Sequence, residues 1–138
     1  MSKKVMVLCT GNSCRSQMAE GFLRSLSGGC IEAHSAGVIA SGLNGRAVKV
    51  MAEVGVDISH HKSKEIDIDL LRSMDLVITV CDNAHEACPM LPPTIQRKHL
   101  PVRDPVHTRG SEEHIMQDFR RARDELRSLM LSIIGELC

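Results

Sequence analysis

Aromatic rings, net charge and long apolar runs are what this sequence has least of. Phe22 and Phe119 are its whole aromatic complement, with no tryptophan or tyrosine. That argues against a site that recognises its ligand by ring stacking. Basic and acidic residues balance at 17 each, so no global field holds nucleic acid or an anionic membrane. No apolar run approaches the ~18 residues that a membrane span needs. Met1–Lys4 leads straight into a strand-like segment, without the features of a secretory signal. The expectation is a cytoplasmic protein, monomeric, with neither nucleic acid nor membrane as partner.

What is present is cysteine. Six cysteines in a chain of 138 residues need a reason, because cytoplasmic thiols are normally kept reduced. At this length one domain over residues 1–138 can bury a core without disulfide staples, so redox chemistry, nucleophilic chemistry and metal binding are the candidates.

Val5–Leu8 reads as a buried parallel strand, and Gln17–Ser27 as a helix closed by Gly28-Gly29. Ile31–Ser35 is a second strand, and Asn44 caps a helix that runs to about Val54. Ile66–Ser73 reads as a short helix, and Leu76–Val80, rich in β-branched residues, as a strand. From Cys81 to Arg109 the chain reads as irregular, with five prolines and room for a short strand near Lys98–Leu100. Ser111 opens a long helix whose apolar stripe runs from Ile115 and Phe119 to Ile133 and Leu137. Strands alternating with helices predict right-handed βαβ units and a parallel sheet covered on both faces: an α/β fold.

The segment Cys9–Ser16 lies between the first strand and the first helix, where open α/β sheets bind ligands. Backbone N–H groups of Thr10, Gly11, Asn12, Ser13, Cys14 and Arg15 can converge there on one anion, helped by the helix N-terminus. Arg15 adds a planar fork for two oxygens of a tetrahedral oxyanion. Such positive surroundings also stabilise a thiolate at Cys9, and the Ser16 hydroxyl can hold it. A nucleotide-binding P-loop would need the Gly-Lys-Ser/Thr ending that is missing here. The bland alternative makes Cys9 a buried strand-end cysteine and Arg15 a surface residue.

The run CTGNSCRSQMAEG, Cys9–Gly21, resembles the low-molecular-weight tyrosine phosphatases and, among them, the thioredoxin-coupled arsenate reductases. The resemblance continues through Ser35–Gly37, Glu53–Ser59, Asp75–Cys81, Cys88-Pro89 and Asp104-Pro105, nearly the whole chain. It implies a three-layer fold with a four-stranded parallel sheet flanked by helices, and no cofactor. It implies Cys9 as nucleophile, Arg15 as oxyanion ligand and Asp104 as general acid. It also implies a relay in which Cys81 attacks Cys9 and Cys88 then attacks Cys81. The substrate would be arsenate, and the reductant thioredoxin, or a glutaredoxin with glutathione. If residues 82–87 were helical, Cys81 and Cys88 would stand about 10 Å apart at ~1.5 Å per residue. A disulfide needs Cα atoms roughly 4.4–6.8 Å apart, so the segment would have to unwind.

Other readings stay open. Cys81, His85 and Cys88 form an incomplete zinc set. A phosphatase would use Cys9, Arg15 and Asp104 equally well, and a thiol sensor or metal-thiolate module would use only the cysteines. Some relatives in this family hold potassium beside the loop. Here Asn12, Glu20 and Ser35 match, while Lys64 takes the place of an acid; the expectation is that its ammonium pairs with Glu20. Cys14 is expected to be structural and Cys30 and Cys138 to be bystanders. The stretch from Arg97 to Arg109 reads as a solvated basic loop.

Overall fold

A computed structural model describes residues 2–138. In chain order it runs β1 (Lys3–Cys9), α1 (Arg15–Leu26), β2 (Ile31–Gly37), α2 (Gly45–Glu53), α3 (Ile68–Arg72) and β3 (Leu76–Thr79). Then come α4 (Asp82–Ala87), β4 (Gln96–His99), a 3-10 turn (Pro105–His107) and α5 (Glu112–Leu137). The four strands pair in parallel in the order β2-β1-β3-β4.

Central position explains the uniform character of β1 and β3. Residues Val5–Cys9 and Leu76–Thr79 are buried on both faces, so they read as apolar runs rather than as an alternation. The edge strand β4, Gln-Arg-Lys-His, is polar and partly exposed, as suits an unpaired edge. Helix starts follow their caps. Asn44 accepts from the N–H groups of Arg46 and Ala47, Asp67 from those of Asp69 and Leu70, and Ser111 from that of His114. Helix α1 packs on β1 and β2, α5 on α1 and α2, and α4 on β1 and β3. Phe22 and Phe119, on α1 and α5, are both fully buried.

Two expectations fail. Residues 82–87 are helical rather than irregular, because the Cys81 sulfur caps them by accepting the Ala84 N–H at 3.3 Å. Cys30 and Cys138 are bonded to each other across 108 residues of sequence, with Cα atoms 6.2 Å apart. The 26 residues of α5 carry Cys138 back to the N-terminal edge of the sheet, where Lys3 donates its N–H to the Cys30 carbonyl. This bond lies at the opposite end of the strands from Cys9. Cys9, Cys14, Cys81 and Cys88 remain thiols.

Candidate active site

Cys9 ends β1, and within seven residues the chain has turned into α1. The turn places Asn12 at a positive φ of 47°, the one non-glycine residue in that region among the described residues. Gly37 lets β2 pass close beneath it, since a Cβ there would come within 2.6 Å of the Asn12 nitrogen. No side chain caps the start of α1, so its first N–H groups are left for a ligand. The helix begins at Arg15, two residues before the position read from the sequence, because the loop runs directly into it.

Below the loop, a buried chain of hydrogen bonds leads to the Cys9 sulfur. Lys64 N–H and Gln17 Nε2 both donate to Asn12 Oδ1, at 2.8 and 3.0 Å, which fixes the amide orientation. The other end, Nδ2, donates to Ser35 and to Ser16, each at 2.9 Å. Ser35 donates in turn to Glu20 at 2.6 Å. With its oxygen already accepting from Asn12, the Ser16 hydroxyl is left to donate to Cys9 Sγ, 2.8 Å away. Asn12, Ser16, Glu20 and Ser35 are thus brought together as the sequence suggested, each fully or nearly fully buried.

Lys64 is brought to the loop through its backbone only. Its ammonium donates to the Lys62 carbonyl and does not pair with Glu20. The cation on Glu20 is Arg24, with Nε at 2.9 Å. Arg24 lies one turn further along α1, a spacing that was legible in the sequence and points the two side chains at each other. His61 lies 3.9 Å from the same carboxylate, and its Nδ1 meets Gln17 Oε1 at 2.9 Å. Burial, the largest influence, pushes the His61 pKa down, against the pull of Glu20. Gln17 and His61 were missed because neither carries a motif of its own.

Above the loop, a cavity of about 190 Å³ is lined by Cys9, Thr10, Gly11, Ser13, Cys14, Arg15, Ser41, Asp104 and Val106. Arg15 donates to the Val102 carbonyl at 2.9 Å, and its Nη2 stands 3.3 Å from Asp104 Oδ2. The guanidinium and the carboxyl group therefore face the same space as the Cys9 sulfur. Burial, reinforced by the charges of Asp104 and Cys9, pushes the Cys14 thiol far above its ordinary value. It stays protonated, and the loop holds one nucleophile rather than two.

Cys81 follows β3, which pairs with β1 in the register Leu8↔Thr79. Its sulfur lies 3.2 Å from the Thr10 hydroxyl, against the residue that follows Cys9. Cys88, half-buried at the far end of α4, has its pKa raised by burial, with Arg97 opposing. Cys81, His85 and Cys88 do not gather as a metal site: among the described residues no cluster of three His, Cys, Asp or Glu side chains is placed to hold an ion. The basic stretch is largely paired within the molecule. Arg97 donates to the His85 carbonyl, Lys98 meets Glu136, His99 meets Asp82, and Arg103 meets Asp118. Among the described residues no helix is long and apolar enough to cross a membrane.

Comparison with known proteins agrees with this geometry. Residues 4–137 match the family described as low molecular weight phosphotyrosine protein phosphatase. An arsenate reductase of Bacillus subtilis (strain 168) is 49% identical over 125 residues, covering 91% of this chain and 90% of that protein. A solved arsenate reductase in its phosphate-binding state superposes with a TM-score of 0.80 at 33% identity, over 99% of both chains. The thioredoxin-dependent arsenate reductase of Corynebacterium glutamicum superposes with a TM-score of 0.68 at 28% identity, over 95% of this chain and 63% of that one. The chain belongs to the low molecular weight phosphotyrosine protein phosphatase family, and within it to the group of the arsenate reductases.

Proposed function

We propose that this chain reduces arsenate to arsenite, with Cys9 as nucleophile, Cys81 and Cys88 as a disulfide relay, and thioredoxin as the reductant that restores it. The observation that carries the reading is the contact between the Thr10 hydroxyl and Cys81. Phosphate ester hydrolysis needs Cys9, Arg15 and Asp104 but has no use for a second thiol beside them.

The N–H groups of Thr10–Arg15 and the Arg15 guanidinium bind the oxyanion. The Cys9 thiolate, held by Ser16, forms a bond to arsenic, and one arsenate oxygen leaves as water with the proton of Asp104. Cys81 then attacks the Cys9 sulfur. The sulfur–arsenic bond breaks with its electron pair remaining on arsenic, which departs as arsenite, and a Cys9–Cys81 disulfide forms. Cys88 attacks Cys81, releasing the Cys9 thiolate, and α4 unwinds to let the two sulfurs meet. The Cys81–Cys88 disulfide is passed to the two thiols of thioredoxin, or to a glutaredoxin with glutathione. The compartment is the cytoplasm and the working unit a monomer.

The test dispenses with the donor. Protein carrying the four free thiols is mixed with arsenate alone, thiols are counted, and disulfides are mapped by peptide mass. One arsenite per chain, loss of two thiols and a Cys81–Cys88 link are expected. Unchanged thiols together with hydrolysis of a phosphate ester would establish a phosphatase instead.

A further inference from the structure

Asp118, near the start of α5, is a buried carboxylate outside the oxyanion cavity, and the reaction steps make no use of it. It accepts from Arg103 at 2.8 and 3.3 Å, from Arg121 Nε at 2.9 Å, and from the Thr108 hydroxyl. Arg121 also donates to the Arg103 carbonyl at 3.1 Å. Burial pushes the Asp118 carboxyl up, but hydrogen bonds from Thr108 and Arg121 and the two arginine charges outweigh it and hold the group below its ordinary pKa. It is an ionised acceptor for every one of these donors.

Arg103 and Thr108 are the residues that bracket Asp104–His107. Both ends of the turn carrying the acid are therefore tied to one carboxylate. That carboxylate stands on a helix whose next residues inward, Phe119, Ala122 and Leu126, are fully buried. The contacts of Asp104 itself set its rotamer: Oδ1 accepts the Val106 N–H at 3.0 Å, and Oδ2 faces Arg15. Through Arg15 they tie the carboxyl group to α1, whereas the two ends of the turn are tied to α5 by Asp118. We infer that Asp118 is the positioning residue of the acid turn, holding Arg103 and Thr108 so that the Asp104 carboxyl stands at the mouth of the oxyanion cavity. The inference rests on Asp104 acting as the general acid. Misplacing an acid by a fraction of an ångström weakens proton delivery in the transition state while leaving binding of the oxyanion alone.

A double-mutant cycle tests it. Single-turnover arsenite release is measured against arsenate concentration for the unaltered chain, Asp104→Asn, Asp118→Asn and the double variant, each checked for fold by circular dichroism. Loss of the acid is expected to slow the limiting rate on the order of 10²-fold, and Asp118→Asn to slow it about tenfold. The half-saturating arsenate concentration stays unchanged in Asp118→Asn, and the double variant is no slower than Asp104→Asn. Thr108→Val, which removes one donor and keeps the buried charge paired, is expected to fold and to show a smaller loss of the same kind. Should Asp118→Asn fail to fold, the cycle is read on Thr108→Val. An unimpaired Asp104→Asn overturns the acid itself. A slow Asp104→Asn beside a full-rate Asp118→Asn overturns the positioning role alone. Equal slowing by Asp118→Asn in both backgrounds would make it merely structural and overturns the role as well.

Discussion

Cys9 and Cys81 stand at the ends of neighbouring parallel strands, both buried, yet the chain around each is held in opposite ways. The Cys9 loop rests on α1, in which every residue from Arg15 to Leu23 is buried, and on the hydrogen-bond chain through Ser16, Asn12, Ser35 and Glu20. The segment after Cys81 is a six-residue helix with Ala84 as its one buried residue. Its ties to β4 are at the surface: Asp82 to His99 at 2.9 Å, and the His85 carbonyl to Arg97 at 2.7 Å. A site that binds an oxyanion must keep its donors in place, so fixed geometry serves the first region. A cysteine that must travel along the chain needs a segment whose opening costs little, and that serves the second.

Substituting each thiol breaks the comparison most severely. Cys9→Ser should release no arsenite at all, whereas Cys88→Ser should release one arsenite per chain and stop at a Cys9–Cys81 disulfide, both visible in a single-turnover assay with peptide mapping. Asn12→Ala should strike the rigid side. It strands buried donors and acceptors at about 1–3 kcal/mol each, so thermal unfolding should show a loss on the order of 3 kcal/mol or more. Turnover should fall with it, since the Ser16 hydroxyl loses its orientation. Opening the Cys30–Cys138 bond with Cys138→Ser should lower stability by about 2–4 kcal/mol, read by denaturant unfolding, and leave arsenite release unchanged because the bond lies at the far end of the strands. The gentlest change is on the lightly tied side. Asp82→Asn weakens its exposed pair with His99, worth roughly 0.2–1 kcal/mol, so closure of the Cys81–Cys88 disulfide should quicken by at most about fivefold in a rapid-quench measurement. A slower closure would show that α4 must stay formed during the relay.

Strands β1 and β3, the capped starts of α2 and α5, and the cradle from Cys9 to Arg15 were all legible, because each is a local pattern of residue type and spacing. Less was visible where two distant segments meet. Helix α4 was hidden just ahead of the proline-rich stretch, since its cap is a cysteine sulfur rather than one of the usual oxygen side chains. Lys64 lay at the right loop, but whether its ammonium or its backbone would face Asn12 depended on how residues 62–64 pass beneath the loop. Asp118 looked like one more polar residue of an amphipathic helix until Arg103 and Thr108 folded against it.

By itself the sequence determined an α/β chain with an anion-binding loop, two thiols in that loop and two more beyond a later strand. Short-range sterics, capping and periodicity suffice for that, since they act within a turn or a strand. Tertiary structure alone decided which thiols stand together, which pair is already bonded, and which buried charges hold the loop and the acid turn. Those contacts join residues up to 108 positions apart, and such proximity follows from strand order and helix packing rather than from any local run of residues.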